Sequence, residues 1–97
     1  MSAYIVVDIS VHDTEQYQKY VAVAPGYVKK HGGKYLVRGG QVDIAEGDWK
    51  PERLVILEFP SMEHANGLLQ DPEYQSVAEL RRASTTSRLI VADGFSG

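Results

Sequence analysis

The sequence contains no cysteine, so it can form neither a disulfide nor a thiolate metal site and has no cysteine nucleophile. It also has no apolar run near the roughly 20 residues that a membrane-spanning helix requires. The first residues, Met1 to Val11, show no basic leader and no small-residue cleavage site, so we expect no signal peptide. These absences predict a cytoplasmic protein with no membrane partner.

An excess of positive charge is missing as well. Ten Lys and Arg stand against thirteen Asp and Glu, a formal net charge of -3. Nucleic-acid-binding proteins usually carry a basic footprint, so we expect no nucleic-acid partner. The 97 residues are too few for two domains, and we expect one domain over residues 1–97, with residues 94–97 as a tail.

Motifs for metals, nucleotides and hydrolytic chemistry are also missing. No two of His12, His31 and His64 have the i, i+4 spacing of a helical metal site. The pair Gly39-Gly40 lacks the lysine and the strand-to-helix context of a phosphate loop, and no Gly-x-Ser-x-Gly elbow occurs. We therefore predict no metal and no cofactor.

Hydrophobic periodicity predicts four strands. Residues 3–11 alternate as a strand with one apolar face, and residues 53–59 form the nearly continuous apolar run of a central strand. Residues 34–38 and 41–46 are interpreted as one strand interrupted by a glycine bulge, and residues 88–93 as the last strand.

Helices are predicted between these strands. The first begins after Asp13 and continues to about His31, with a bend or break at Pro25. Ser61 can cap a second helix. A third helical segment follows, with Asp71 at its cap and Pro72 at its first helical position. The order is typical of a ferredoxin-like α+β sandwich (βαββαβ), in which a four-stranded antiparallel sheet carries its helices on one face.

The sheet face opposite the helices would also be apolar. It would expose Val6, Leu54 and Ile56 beside Ile44 and Ile90. A contiguous apolar patch on a small domain usually marks an interface, so we predict a homodimer through this open sheet face, enclosing a cavity near the join. The alternative is that the patch is small and that both faces are apolar by chance.

Three charged residues are candidates for catalysis. If the first and third strands are parallel neighbours, Asp8 and Glu58 lie at equal depth on the open face, and their repulsion would raise the pKa of one carboxyl. Arg38, counted back from the turn, would lie close enough to pair with Glu58. The alternative is a neutralised ion pair within an interface.

Other polar residues lie on predicted helix faces. Tyr17, Tyr20 and Tyr74 point toward the sheet, where they are either core residues or site residues. Arg81 shares the face of Tyr74 and needs either a carboxylate or an anionic ligand. Glu46 and Arg53 flank the turn around Trp49 and could pair across the hairpin mouth; Trp49 could equally rim a pocket. For each of these residues, a structural role and a ligand-binding role both remain open.

Several blocks of the sequence resemble the bacterial family catalogued as domain of unknown function 1330. The blocks are Tyr20-Val21, His31–Gly33, Tyr35–Gly40, Glu46-Gly47, Glu58–Ser61, Pro72–Gln75, Leu80-Arg81 and Ile90–Gly94. That family is similar to the dimeric α+β barrel superfamily, whose members include cofactor-independent monooxygenases, muconolactone isomerase-like enzymes, haem-degrading enzymes and stress-induced barrel proteins. The resemblance implies a dimer and supplies no activity.

The resemblance also implies which residues line a site. These are Tyr20, Arg38, Gly39, Gly40, Glu46, Glu58, Tyr74 and Arg81. The chain has Leu68, Leu69 and Asp71 where relatives tend to carry an aromatic pair and a serine, which favours a smaller or more aliphatic ligand.

Two functions follow from these interpretations. The first is a cofactor-independent enzyme for a small anionic or enolisable metabolite, in which Arg38 or Arg81 holds the anion and Glu58 moves a proton. The second is a non-catalytic small-molecule-binding or stress-associated dimer, in which the charges fix the register of two sheets. A haem-degrading role ranks last, since no histidine is placed to face a cavity.

Overall fold

The computed structural model describes residues 2–95, within which the chain forms four strands and three helices. Along the chain these are β1 (Ala3–Val11), α1 (Thr14–Lys30), β2 (Lys34–Arg38), β3 (Arg53–Phe59), α2 (Met62–Gln70), α3 (Pro72–Ser84) and β4 (Thr85–Asp93). The strand order is β2-β3-β1-β4, and every neighbouring pair is antiparallel. The predicted ferredoxin-like fold is confirmed.

The core lies between the helices and one face of the sheet. Alternate residues of the two central strands are buried there, as the period of two in their sequences predicts. Ala65, Leu68 and Ala78 cover them from the helices. Within residues 2–95 no helix packs on the opposite side of the sheet, which is called the open face below; the helix-packed side is called the covered face.

Side-chain caps fix where the helices begin. Asp13 accepts from the Gln16 N–H at 3.1 Å, and Ser61 accepts from the His64 N–H at 3.2 Å. Asp71 accepts from the Glu73 N–H at 2.9 Å and also binds His31 Nε2 at 2.8 Å and Lys30 Nζ at 3.0 Å. The His31 and Lys30 contacts, in that order, lower the pKa of Asp71. Asp71 therefore joins the end of α1 to the junction of α2 and α3.

Two predicted boundaries differ from the structure. Of the bend or break predicted at Pro25, the break is wrong, because α1 is one continuous helix from Thr14 to Lys30. Ala24 and Val28, on either side, are both buried and hold the two halves of the helix on the sheet, although proline lacks a donor. β4 begins at Thr85 rather than at Arg88, since three polar residues extend its pairing with β1.

The second strand also ends earlier than predicted. β2 stops at Arg38, and residues 41–46 lie outside the sheet, so the interpretation of one strand through Gly39-Gly40 is wrong. Gly39 turns the backbone at φ +73° and donates its N–H to the Leu54 carbonyl at 2.9 Å. The irregularity in the ladder lies between Tyr35 and Val37 instead. A long loop, residues 39–52, therefore connects β2 to β3.

The expected tail at residues 94–97 is described only at its start. The Gly94 N–H donates to the Ser2 carbonyl at 2.8 Å, which continues the pairing of β4 beside β1. Residues 96 and 97 lie outside the described residues. No helix between residues 2 and 95 is both long and apolar enough to cross a membrane.

Candidate functional site

The antiparallel register separates the two carboxylates that were predicted to lie together. Glu58 faces Tyr4 across the β1–β3 ladder, whereas Asp8 faces Leu54. Four residues of a strand span about 13 Å, so the carboxylates lie toward opposite ends of the open face. The prediction of equal depth is wrong because it took β1 and β3 as parallel.

Arg38 does not pair with Glu58 either. In the β2–β3 hairpin, Arg38 faces Val55, and the residue facing Glu58 is Lys34. Lys34 Nζ lies 3.3 Å from Glu58 Oε1, and the Tyr4 hydroxyl donates to Glu58 Oε2 at 3.0 Å. The contacts from Tyr4 and Lys34 lower the pKa of Glu58. The first residue of β2, not the last, neutralises this carboxylate.

Asp8 has its own partners on the open face. Its Oδ2 accepts from the Trp49 indole N–H at 2.9 Å and from Arg88 Nη2 at 2.8 Å. Both hydrogen bonds lower the pKa of Asp8, and the one from Trp49 has the larger effect. The raised carboxyl pKa expected from mutual repulsion is therefore wrong, since each carboxylate is ionised within a separate group of donors.

Four of the predicted site residues meet on the covered face instead. Tyr20, Arg38, Tyr74 and Arg81 line a cavity of about 40 Å³ between the helices and the sheet. The Arg38 guanidinium lies 4.6 Å from the centroid of the Tyr35 ring, which also lines this cavity. Because Arg38 faces Val55 in the ladder, it shares the side of the sheet on which the core lies.

Arg53 and its neighbours complete the lining. Arg53 Nε donates to the Tyr17 hydroxyl at 3.0 Å, and its guanidinium lies 5.7 Å from the Tyr17 ring centroid. The sequence indicated this position, because Arg53 continues the covered-face alternation of Val55 and Leu57. Its predicted role was an ion pair with Glu46, and no such pair forms. The prediction therefore missed Arg53 as a residue that lines the cavity.

Arg81 is the most enclosed cation of the cavity. The residue is 8% exposed, and its Nη1 donates to the Ser87 hydroxyl at 2.6 Å. Its Nε is buried with no hydrogen-bond partner within the described residues. A buried polar group without a partner is rare in folded proteins, which makes Arg81 a candidate site residue.

The tyrosine hydroxyls of Tyr20 and Tyr74 hydrogen-bond to each other at 2.7 Å. Burial, followed by the effect of Tyr74, raises the pKa of Tyr20. Burial also raises the pKa of Tyr35. Tyr20 and Tyr35 are therefore neutral near pH 7 and can donate hydrogen bonds without adding negative charge.

Positive charge in the cavity is not balanced by the protein. No carboxylate lines it, and between residues 2 and 95 none lies within ion-pair distance of Arg38, Arg53 or Arg81. Guanidinium groups stay protonated in proteins, so these charges persist at physiological pH. The arrangement can hold an anion and stabilise negative charge that develops on it.

The remaining predicted residues do not line the cavity. A Cβ on Gly39 would overlap the Arg53 guanidinium, so this glycine makes room for a lining residue. Gly40 has open space around it. Glu46 is exposed and lines a separate groove with Trp49 on the loop 39–52. Across residues 2–95, no cluster of three His, Asp or Glu could hold a metal ion.

Solved structures share the fold of this chain. A protein of unknown function from Rhodopseudomonas palustris is 20% identical, with a TM-score of 0.76 over 99% of this chain and 84% of its own. A dimeric ferredoxin-like protein of unknown function from Jannaschia sp. CCS1 is 11% identical, with a TM-score of 0.71 over 97% of this chain and 100% of its own. SnoaB, a cofactor-independent oxygenase from Streptomyces nogalater, is 12% identical, with a TM-score of 0.67 over 99% of this chain and 95% of its own.

At these identities the likeness establishes the fold and nothing finer. A search of curated proteins finds no match to the sequence. The family model described as "Domain of unknown function (DUF1330)" matches residues 2–95, nearly the whole chain. The chain therefore belongs to the DUF1330 family.

Proposed function

We propose that the cavity on the covered face binds a small carboxylate and that the chain works as a homodimer. The single observation that carries the binding proposal is the meeting of Arg38, Arg53 and the buried Arg81 at one cavity that no carboxylate lines. This agrees with the expectation that Arg38 or Arg81 holds an anion, whereas Asp8 and Glu58 lie on the other face.

Desolvation of Arg81 favours the binding of an anion beside it. Taking a guanidinium out of water costs several kcal/mol unless an anion and hydrogen bonds compensate it. Arg81 has one such compensating bond, to Ser87, and its Nε has none. A bound carboxylate would supply both the charge and the missing acceptor, through charge-assisted hydrogen bonds.

The size and walls of the cavity restrict the ligand. Its volume of about 40 Å³ exceeds the roughly 10–15 Å³ needed for one water and lies far below the 300–1,000 Å³ of pockets for drug-sized molecules. Leu68 and Leu69 form part of the wall. A short aliphatic acid fits these properties, in line with the smaller ligand expected from these two leucines.

Titration with propionate tests the binding proposal. We expect saturable shifts of cavity-residue amide signals in NMR spectra of the wild type, and a loss of affinity of about 30-fold or more in Arg81→Met, which removes a charged hydrogen-bond donor. Arg82→Met is the matched control, because Arg82 is exposed on the same helix. Equal affinities in the two variants would contradict the proposal.

The homodimer is supported by the open face. Val6 and Ile56 face each other across the sheet, Ile90 follows on the other side of Val6, and Ile90 is 61% exposed. Leu54 and Ile44 extend this apolar surface along the loop 39–52. The Jannaschia protein of the same fold is described as dimeric. A second copy of the chain would cover this apolar surface with its own identical surface.

Light scattering tests the dimer at micromolar concentration. We expect the wild type to have twice the monomer mass and Ile90→Lys to be monomeric, because the lysine would place a charge within an apolar interface. Val23→Lys is the control, since Val23 is 43% exposed on α1 and lies away from the open face. A monomeric wild type would contradict the dimer.

A second candidate function is cofactor-independent catalysis on the bound acid. The observation in its favour is that the arginines and the neutral Tyr20 would stabilise the enolate that forms when solvent hydroxide removes an α-proton of that acid, the proton leaving as water. SnoaB, which shares the fold, is described as a cofactor-independent oxygenase. The predicted role of Glu58 as the group that moves the proton does not fit, since Glu58 is bound to Tyr4 and Lys34 on the opposite face.

Deuterium exchange separates catalysis from binding. If the cavity promotes enolisation, a bound acid in D₂O should exchange its α-protons faster with wild type than with Arg81→Met, as followed by proton NMR. Exchange at the rate of the free acid, despite saturable binding, would favour the non-catalytic dimer.

A further inference from the structure

We infer that the ligand is a short 2-oxo acid, with its carboxylate on Arg81 and its 2-oxo oxygen on the hydroxyl pair of Tyr20 and Tyr74. This inference rests on the proposed carboxylate-binding function and names the class of acid. The inference is based on hydrogen-bonding groups at the cavity that make no hydrogen bond to the described residues.

The first group is one edge of the Arg81 guanidinium. Ser87 accepts from Nη1, which leaves the edge formed by Nε and Nη2. Nε is buried and has no partner among the described residues. Two parallel N–H groups on one guanidinium edge match the two oxygens of a carboxylate, so this edge can bind a carboxylate in a bidentate manner.

The second group is a hydroxyl proton of the tyrosine pair. Tyr20 and Tyr74 have two hydroxyl protons, and their mutual hydrogen bond at 2.7 Å uses one of them, whichever hydroxyl donates. Neither hydroxyl makes another hydrogen bond to residues 2–95. One O–H therefore remains available for an acceptor on a ligand.

The two groups lie in the same cavity. The Arg81 guanidinium is 6.0 Å from the centroid of the Tyr20 ring, and Tyr74 and Arg81 both line the space. A 2-oxo acid carries a carbonyl oxygen on the carbon next to its carboxylate, so both acceptors fit within a small volume. The short alkyl remainder would contact Leu68 and Leu69.

A comparison of pyruvate with propionate tests this class, because both acids have three carbons and differ at the 2-oxo group. By isothermal titration calorimetry we expect wild type to bind pyruvate about tenfold more tightly than propionate, the effect of one neutral hydrogen bond. The double variant Tyr20→Phe, Tyr74→Phe should lose this preference and bind the two acids with equal affinity. Tyr27→Phe is the control, since the Tyr27 hydroxyl is exposed and lies near Glu73.

The outcomes distinguish the inference from the proposed function. Equal affinities of wild type for the two acids would overturn the 2-oxo assignment and leave carboxylate binding intact. A preference for pyruvate that survives in the double variant would overturn the role of the tyrosine pair. Binding of neither acid would contradict the proposed function itself and the inference with it.

Discussion

The two faces of the sheet differ in whether their charged side chains lie beside groups of opposite charge. On the open face, Asp8 and Glu58 each lie beside a cation and a further donor, and apolar residues separate the two groups. On the covered face, three arginines meet four tyrosines and no carboxylate. The chain as a whole is acidic, with a net charge of -3, and yet the charged side chains that line the covered-face cavity are all cationic. The difference shows that local charge balance, rather than the net charge of the chain, distinguishes the proposed interface from the proposed ligand site.

The largest expected effect comes from adjacent residues on opposite faces of β3. Leu57 is buried on the covered face, so Leu57→Ala should lower the free energy of unfolding by about 2–5 kcal/mol. Ile56 is half-buried on the open face, and Ile56→Ala should cost less. Urea denaturation measures both.

Varying the protein concentration sharpens the comparison of Leu57→Ala with Ile56→Ala. If the open face is an interface, the cost of Ile56→Ala depends on protein concentration, because dimer formation adds to the stability of the wild type. Equal costs for the two variants at every concentration would remove the distinction between the faces.

A smaller effect is expected from two glycines with positive φ. Gly39 and Gly47 have φ of +73° and +84°, so alanine at either should destabilise the fold by about 1 kcal/mol. A Cβ at Gly39 would also displace the Arg53 guanidinium, whereas Gly47 has open space around it. Propionate affinity should therefore fall in Gly39→Ala and stay unchanged in Gly47→Ala. Equal affinities in both variants would exclude Arg53 from the site.

The smallest effect concerns the pH dependence of Asp8. Its pKa is lowered, so the folded state binds this proton more weakly than the unfolded chain, whose value is about 3.9. The contribution to stability is present above that pH and is lost as the pH falls through the lowered pKa; for an exposed pair it is about 1 kcal/mol or less. Trp49, the one tryptophan, reports this titration by fluorescence.

The fluorescence midpoint should lie below 3.9 and move upward in Arg88→Gln, which removes a donor from Asp8. Lys34→Gln is the control, because Lys34 contacts Glu58 at the other end of the open face. A wild-type midpoint at or above 3.9 would show that the open-face carboxylate is not compensated as described.

Most of the fold could be predicted because burial leaves periodic patterns. The alternation of β1, the apolar run of β3 and the caps at Asp13, Ser61 and Asp71 all have local causes. The start of β4 leaves no such signal, since Thr85 and Thr86 are polar residues placed by their pairing with β1. Residues 41–46 alternate like a strand and yet lie in the loop, where Val42 and Ile44 contribute to a groove beside Leu54.

The candidate site was harder to predict because it depends on strand direction. Counting residues from the start of each strand places Asp8 beside Glu58 only if neighbours are parallel, and antiparallel pairing reverses one of the counts. Arg38 and Arg81 could be selected from the sequence, whereas their meeting in one cavity depends on the packing of α3 over the sheet. No local pattern encodes the unpartnered Nε of Arg81.

A crystal structure of the protein grown with propionate tests the central claim most directly. We expect a carboxylate within the covered-face cavity, with its oxygens about 2.7–2.9 Å from Nε and Nη2 of Arg81. An empty cavity at saturating propionate, or an acid bound only on the open face, would contradict it.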